Sequence, residues 1–252
     1  MISIKSHSEI EKMRIAGKIT GMALVEASKH IRPGISTAEL NKIVHDYIIK
    51  QGAVPSFLHY NGYPASICAS VNDAVVHGIP DKDIILKEGD IISIDVGAYI
   101  NGYHGDAART YPVGKISDEA ARLIAVTKES FFRGIKHAVH GGKLGDISAA
   151  VQEYVEDNGY SVVRDLVGHG IGRNMHEDPS VPNFGHAGKG VKLVAGMALA
   201  IEPMVNAGEY DVCVLDDDWT VVTEDGSLSA HYENTIIITR DKPEILTLYD
   251  EV

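Results

Sequence analysis

Displacing the sequence by 107 residues brings its two halves into register, without a gap, from Lys29 to Asp95. Lys29-His30 then falls on Lys136-His137, Gly34 on Gly141, Val44 on Val151 and Tyr47 on Tyr154. Gly52 falls on Gly159, Gly89 on Gly196, Ile94 on Ile201 and Asp95 on Glu202. Most intervening positions differ, so chance likeness between two helix–strand segments is the competing reading. Yet turn glycines, a core tyrosine and a carboxylate all keep register. Repeated units bury their apolar faces against one another. The expectation is two halves, roughly 1–115 and 116–252, related by a pseudo-two-fold axis. Each would bring an acidic strand to a shared centre. With that centre at the seam, residues 1–252 form a single domain.

Local signals divide the halves into elements. Ser8 with Glu11 and Ser36 with Glu39 fit the capping box that opens a helix. The first helix should stop at Pro33-Gly34 and the second at Gly52. A third is expected from about Ser117 to Gly141-Gly142, and a fourth from about Asp146 to Gly159. Apolar runs predict strands at 91–98, 160–167, 197–202, 210–215 and 234–239. Hairpin signals separate these strands more often than crossover helices do, which makes the class α+β.

Composition narrows the function classes. A chain of 252 residues that is 44% hydrophobic can bury a full core without disulfides. Its formal net charge of −12 argues against nucleic-acid specificity and against anionic membranes. Cys68 and Cys213 lack metal-type spacing and suit a reducing compartment. The N-terminal MISIKSHSEIEKM carries charges where a signal peptide needs an apolar stretch. No apolar run approaches the ~20 residues that span a bilayer. The chain is read as cytoplasmic and, with no interface stripe, as a monomer.

The chemistry starts at EGDIISIDVGAYINGYHGDAARTYPVG. Asn101-Gly102 between two β-like runs is a strong two-residue hairpin signal. Such a loop sets Asp106 opposite Gly97 and Asp95 opposite Ala108. Side chains alternate along a strand, so both aspartates share a face. They become diagonal neighbours, roughly 7–8 Å apart at Cα. Either aspartate alone could cap a turn or pair with Arg109. An unpartnered carboxylate in an apolar strand is nevertheless costly to bury, and the shared face favours a ligand pair.

Further along, His169 sits between Gly168 and Gly170, where the chain can turn sharply and expose the ring; His176 follows. The glycines lack the spacing of a dinucleotide fingerprint, and no Walker lysine follows. Glu202 ends an apolar strand before Pro203, and Glu233 opens a β-branched one. Either glutamate alone could be an edge-strand solubility charge. Clustered together, the four carboxylates would raise one another's pKa, and two divalent cations would balance them. Oxygen-rich ligation with one imidazole suits Mn, Fe, Co or Zn. Two such ions, about 3.5–4 Å apart, lower the pKa of a water between them. That is a hydrolase centre.

Five stretches stand in consistent order over essentially the whole chain: NGYPASICASVNDAVVHGIP (61–80), the aspartate hairpin, GHGIGRNMHEDP (168–179), IEPMVN (201–206) and DDDWTVVTEDGSLSAHYENT (216–235). In these the sequence resembles type I methionine aminopeptidases of the short bacterial kind. The resemblance implies a "pita-bread" fold, a central curved antiparallel sheet covered by helices. It implies removal of the initiator methionine from nascent polypeptides with a small second residue, through a hydroxide between two divalent metals (Co, Mn, Fe or Zn). The ribosome is an expected partner.

Carried over by position, Asp95, Asp106, His169, Glu202 and Glu233 are the metal ligands. Glu202 also shuttles the proton, and His77 and His176 orient the substrate and support the tetrahedral intermediate. Phe57, Tyr60, Tyr63, Cys68, Met175 and Trp219 line the methionine pocket. Asn72 and Ser229 resemble a monovalent-cation site (Na or K). The sequence departs from the family pattern at Phe57, Met175 and His231, which bear on pocket shape. Proline-specific peptidases of the same fold usually carry an extra N-terminal domain, so they are the less favoured reading.

Overall fold

Each half opens with a pair of helices. In the computed structural model, which describes residues 2–249, α1 runs His7–Ser28 and α2 Thr37–Lys50, while α3 runs Asp118–Ile135 and α4 Leu144–Asp157. The outermost residues of the domain expected over 1–252 lie outside the described residues. The capping box at α2 forms as expected: Glu39 N donates to Ser36 Oγ (3.2 Å), and Ser36 N to the Glu39 carboxylate (2.9 Å). At α1 the box belongs to Ser6 and Glu9 rather than to Ser8 and Glu11. The two S-x-x-E patterns overlap, and Ser6 has the extended backbone that an N-cap requires (φ −69°, ψ 165°). Ser8 is already inside the helix.

The helix ends also differ from expectation. α1 and α3 stop at Ser28 and Ile135, ahead of the glycines expected to end them. Those glycines, Gly34 and Gly141, instead make the turn into the next helix, at φ 90° and 93°. The 107-residue displacement also holds for element bounds: it sets the C-terminal end of α1 on that of α3, and both ends of α2 on those of α4. It also relates the bond from Gly34 N to Leu86 O (2.8 Å) to that from Gly141 N to Leu193 O (2.9 Å).

Strands follow each helix pair. The first set is Val54–Pro55 (β1), Ile67–Val71 (β2), Ala74–Val76 (β3), Ile91–Ile100 (β4) and Tyr103–Pro112 (β5). The second is Ser161–Val162 (β6), Gly168–Gly170 (β7), Glu177–Val181 (β8), Ala198–Ile201 (β9), Met204–Asn206 (β10), Val212–Val214 (β11), Val221–Thr223 (β12), Ser229–His231 (β13), Asn234–Ile237 (β14) and Glu244–Ile245 (β15). Of the strand expected at 160–167 only β6 forms, because the chain then leaves the sheet to reach His169. The other expected strands of this half are shorter than their apolar runs.

β4 lies between β1 and β2 and pairs with β5 along its full length. Gly97 stands opposite Asp106 and Asp95 opposite Ala108, the register that a loop at Asn101-Gly102 requires. A second sheet runs β15-β14-β9-β7-β8. The sheets meet at a seam: Glu233 N donates to Ala108 O (2.9 Å), and Ala108 N to Glu233 O (3.4 Å). The Thr235 hydroxyl accepts from Asp106 N and donates to Asp106 O, both at 2.9 Å.

The helices cover these sheets. Leu24, Leu40, Val44 and Ile48 pack with Ile92, Ile94 and Val96. In the second half Phe131 and Ile147 pack with Leu199, Ile201 and Ile236. Each such side chain contributes about 1.5–3 kcal/mol when fully buried. Gly105 permits a close approach: a Cβ there would lie 2.8 Å from Gly17 N and 2.9 Å from Ala16 C of α1. The backbone just before Asp106 is thereby wedged against a helix. Among the described residues no helix is long and apolar enough to cross a membrane.

Candidate metal centre

The seam converges on a buried cluster. Asp106 on β5, His169 on β7 and Glu233 beside β14 each offer a ligand atom, and these atoms lie within 4.8 Å of one another. His169 Nε2 is 3.6 Å from Asp106 Oδ2 and 3.7 Å from Glu202 Oε1. Asp95 joins from β4, a diagonal neighbour of Asp106 on the paired strands and lining the same cavity.

The protonation of His169 follows from its neighbours. Nδ1 is 2.8 Å from Gly170 O, and a carbonyl can only accept, so Nδ1 carries the proton. Burial holds the ring's pKa at about 4, so it is neutral near pH 7. Nε2 therefore turns a lone pair towards carboxylate oxygens. Acceptors face acceptors, and a cation is what such a set lacks.

The carboxyls tell the same story. Burial, and then repulsion from neighbouring carboxylates, pushes Asp95, Glu202 and Glu233 well above the ordinary range. Burial pushes Asp106 to about 8. Asp95 Oδ1, Asp106 Oδ1 and Glu233 Oε1 are buried without a hydrogen-bond partner, each at a desolvation cost of roughly 1–3 kcal/mol. Hard oxygen donors with one imidazole fit divalent cations of intermediate softness. Beside them Arg109 donates to Ala108 O and Asn234 Oδ1 (2.8 Å each) and lies 4.1 Å over the Tyr232 ring.

Over this cluster opens a cavity of about 250 Å³. Phe57, Tyr60, Tyr63, Cys68, Met175 and Trp219 all line it, together with His77, His176 and the five acidic and imidazole residues. Tyr63 is fixed by its hydroxyl, whose one proton is shared between Ile67 O and Gly78 O, each 3.0 Å away, and it meets Trp219 edge-on at 5.0 Å. Cys68 pairs with Asp95 across β2 and β4, and burial pushes its thiol pKa up. Gly97 leaves space for Phe57, whose Cε1 would be 3.0 Å from a Cβ at that position. His176 Nδ1 is 2.8 Å from Tyr60 Oη, and its ring lies 4.1 Å from that of His169.

Asn72 and Ser229 do meet, since Ser229 N donates to Asn72 O at 2.9 Å, but outside this cavity. Their side chains are engaged elsewhere, Asn72 with Asp90 and Ile91 N, Ser229 with Asn206. Val76, Leu166, Val167 and Met204 line the cavity without having been singled out from sequence. Met204 had a signal: the 107-residue displacement sets it on Gly97, which shares the face of Asp95. His231 is buried with both ring nitrogens unpartnered, Nε2 lying 4.0 Å from Glu202 Oε2. Burial lowers its pKa to about 3, so this ring too is neutral.

The sequence profile of metallopeptidase family M24 matches residues 11–240. The methionine aminopeptidase of Clostridium acetobutylicum is 61% identical over 248 residues, 98% of this chain and 99% of that protein. The crystal structure of methionine aminopeptidase from Thermotoga maritima superposes with a TM-score of 0.97 at 49% identity, covering 99% of this chain and 100% of that one. An Xaa-Pro dipeptidase from Bacillus anthracis is more distant: TM-score 0.79, 26% identity, and 99% of this chain against 63% of that one.

Proposed function

The chain belongs to metallopeptidase family M24, among its methionine aminopeptidases, and on that premise we propose how its residues remove an N-terminal methionine. The fold is the family's pita-bread arrangement. The observation that carries the mechanism is the His169 lone pair facing carboxyl oxygens of Asp106 and Glu202, beside unpartnered oxygens of Asp95, Asp106 and Glu233, in an aromatic, sulfur-lined cavity. Asp95, Asp106, His169, Glu202 and Glu233 would hold two divalent ions, drawn from Co, Mn, Fe or Zn. When bound, such ions polarise a carbonyl and lower the pKa of water.

The chain's own groups do the rest. Phe57, Tyr60, Tyr63, Cys68, Met175 and Trp219 take the methionine side chain, since a thioether packs well against aromatic rings. Glu202 takes a proton from the attacking water and returns it to the departing amine. In the tautomer this mechanism uses, the Tyr60 O–H donates to His176 Nδ1 across 2.8 Å. That leaves Nε2–H to donate to the developing oxyanion, a contribution worth ~10²–10³ in rate. His77, neutral through burial, orients the substrate from the other side. The residue after methionine is small. The whole acts as one cytoplasmic, monomeric domain of two related halves, which sedimentation of the purified protein would test.

The metal-loaded protein should hydrolyse Met-Ala-Ser and leave an X-Pro peptide intact. Asp106→Asn and Glu202→Gln should each abolish hydrolysis while the far-UV circular dichroism stays native. Full activity in either variant, or a preference for the X-Pro peptide, would overturn this reading.

A further inference from the structure

The segment ahead of α1 reaches the loop that carries His176. Lys5 is only 5% exposed, and lysines are almost never buried so deeply unless paired. Its Nζ lies 2.6 Å from Glu177 Oε2, and Lys5 N donates to Gly196 O at 2.7 Å. Space has been left for it. A Cβ on Gly172 would lie 2.5 Å from Lys5 Cε and 2.7 Å from Nζ, and one on Gly196 would lie 2.9 Å from Lys5 O.

Glu177 adjoins His176, and its second oxygen accepts from Asn174 N at 3.1 Å. The ion pair therefore closes the loop 172–177 from which Met175 and His176 enter the cavity. A second tether holds the same loop, since Arg173 Nη2 donates to Glu9 Oε1 at 3.2 Å while Tyr103 Oη donates to that oxygen at 2.6 Å. Burial opposes the Glu177 carboxylate, but Lys5 and backbone donors hold it below its ordinary pKa. A buried ion pair is weak evidence for stability by itself. Here it sits one residue from an imidazole whose far side is fixed by Tyr60.

We infer that Lys5 is a positioning residue for His176, its ammonium acting through Glu177 to fix the backbone from which the imidazole reaches the substrate. What His176 does to the substrate rests on the aminopeptidase reading above; the positioning itself does not. The test is Lys5→Met in the full, metal-loaded chain, assayed well below its unfolding temperature, with Glu177→Gln as a second variant that breaks the same pair. For Met-Ala-Ser, kcat should fall about 10- to 100-fold, the range for groups that orient a functional side chain. KM should stay within about twofold, as when an interaction made in the transition state is lost.

In a His176→Ala background Lys5→Met should cost nothing further; an equal loss in both backgrounds would mark a purely structural role and overturn the inference. In zinc-loaded protein the His176 ring resonances should move in Lys5→Met while those of His231 stay in place. Unmoved His176 resonances would overturn the inference whatever the activity. A wild-type protein unable to cleave Met-Ala-Ser would instead sink the aminopeptidase reading, and the resonances would still decide the role of Lys5.

Discussion

In the first half β4 and β5 run ten residues each in unbroken register. In the second half β9, which the 107-residue displacement sets on β4, runs four residues, as does its partner β14. Asp95 and Asp106 accordingly stand mid-strand, where the ladder on both sides dictates their direction. Glu202 stands just beyond β9 and before Pro203, and His169 occupies a three-residue strand with a bulge beside it. Two halves that share helices, turns and spacing thus hold their ligands in different ways. One half holds them within a long ladder, the other in short strands and at strand ends. Proton transfer and oxyanion support are proposed for the half with the short strands.

The largest expected effect tests that division at its matched pair. Asp95→Asn and Glu202→Gln should each lower kcat/KM on Met-Ala-Ser by at least ~10²–10³, the scale of a single electrostatic contributor. If Glu202 also moves the proton, Glu202→Gln should remain inactive at metal concentrations that saturate the protein by calorimetry, whereas Asp95→Asn should partly recover. Equal recovery would erase the distinction between the halves.

Removing the metals should reveal what both halves share, a strained set of carboxyls. Between pH 7.5 and 9 the buried histidines are neutral in the folded chain and nearly so in the unfolded one. Asp106, with its folded pKa raised to about 8, binds more proton folded than unfolded. Its contribution is therefore present at lower pH and lost as pH rises through the folded pKa. Chelated protein should lose about 1 kcal/mol over that interval from this carboxyl, read as a falling Tm. Metal-loaded protein should show a flatter profile.

Gly97→Ala probes the ladder-held half. Its Cβ would lie 2.8 Å from Ser56 Cβ and 3.0 Å from Phe57 Cε1. Crowding of this kind costs about 1–3 kcal/mol, and a displaced Phe57 should raise KM for methionine peptides more than it lowers kcat. The smallest effect separates the matched helix starts. Ser36→Ala breaks a complete capping box and should cost about 1 kcal/mol in denaturant unfolding. Lys143, which the displacement sets on Ser36, meets Asp146 through backbone groups alone, its N–H donating to the carboxylate (2.9 Å) and its carbonyl accepting from Asp146 N (3.0 Å). Lys143→Ala should stay within about 0.5 kcal/mol of wild type.

Legibility in the sequence followed the same division. The Asn101-Gly102 turn has φ 55° and 85°, and because a two-residue loop admits one register, the facing of Asp95 and Asp106 could be worked out from spacing alone. The glycines at 34, 52, 89, 141, 159 and 196 all take positive φ, which is why they kept step when the helices' own residues did not. Overlapping S-x-x-E patterns hid the true start of α1, since which serine caps depends on the tertiary course of the chain before it. The strand expected at 160–167 stops at Val162, and its last apolar residues, Leu166 and Val167, line the cavity without joining a ladder. Contacts such as Lys5 with Glu177 carry no local pattern, being 172 residues apart.

The Thr235 clasp on Asp106 joins residues separated by 129 positions. During synthesis the first hairpin and its two helices leave the ribosome long before Thr235 is made. Until then β5, which carries Asp106, is an open sheet edge with no Glu233 beside it. Contacts so distant along the chain form late, because the intervening loop must first be closed. Each new molecule is therefore assembled for most of its translation before it holds a complete centre, and becomes competent only after nearly its whole length has emerged.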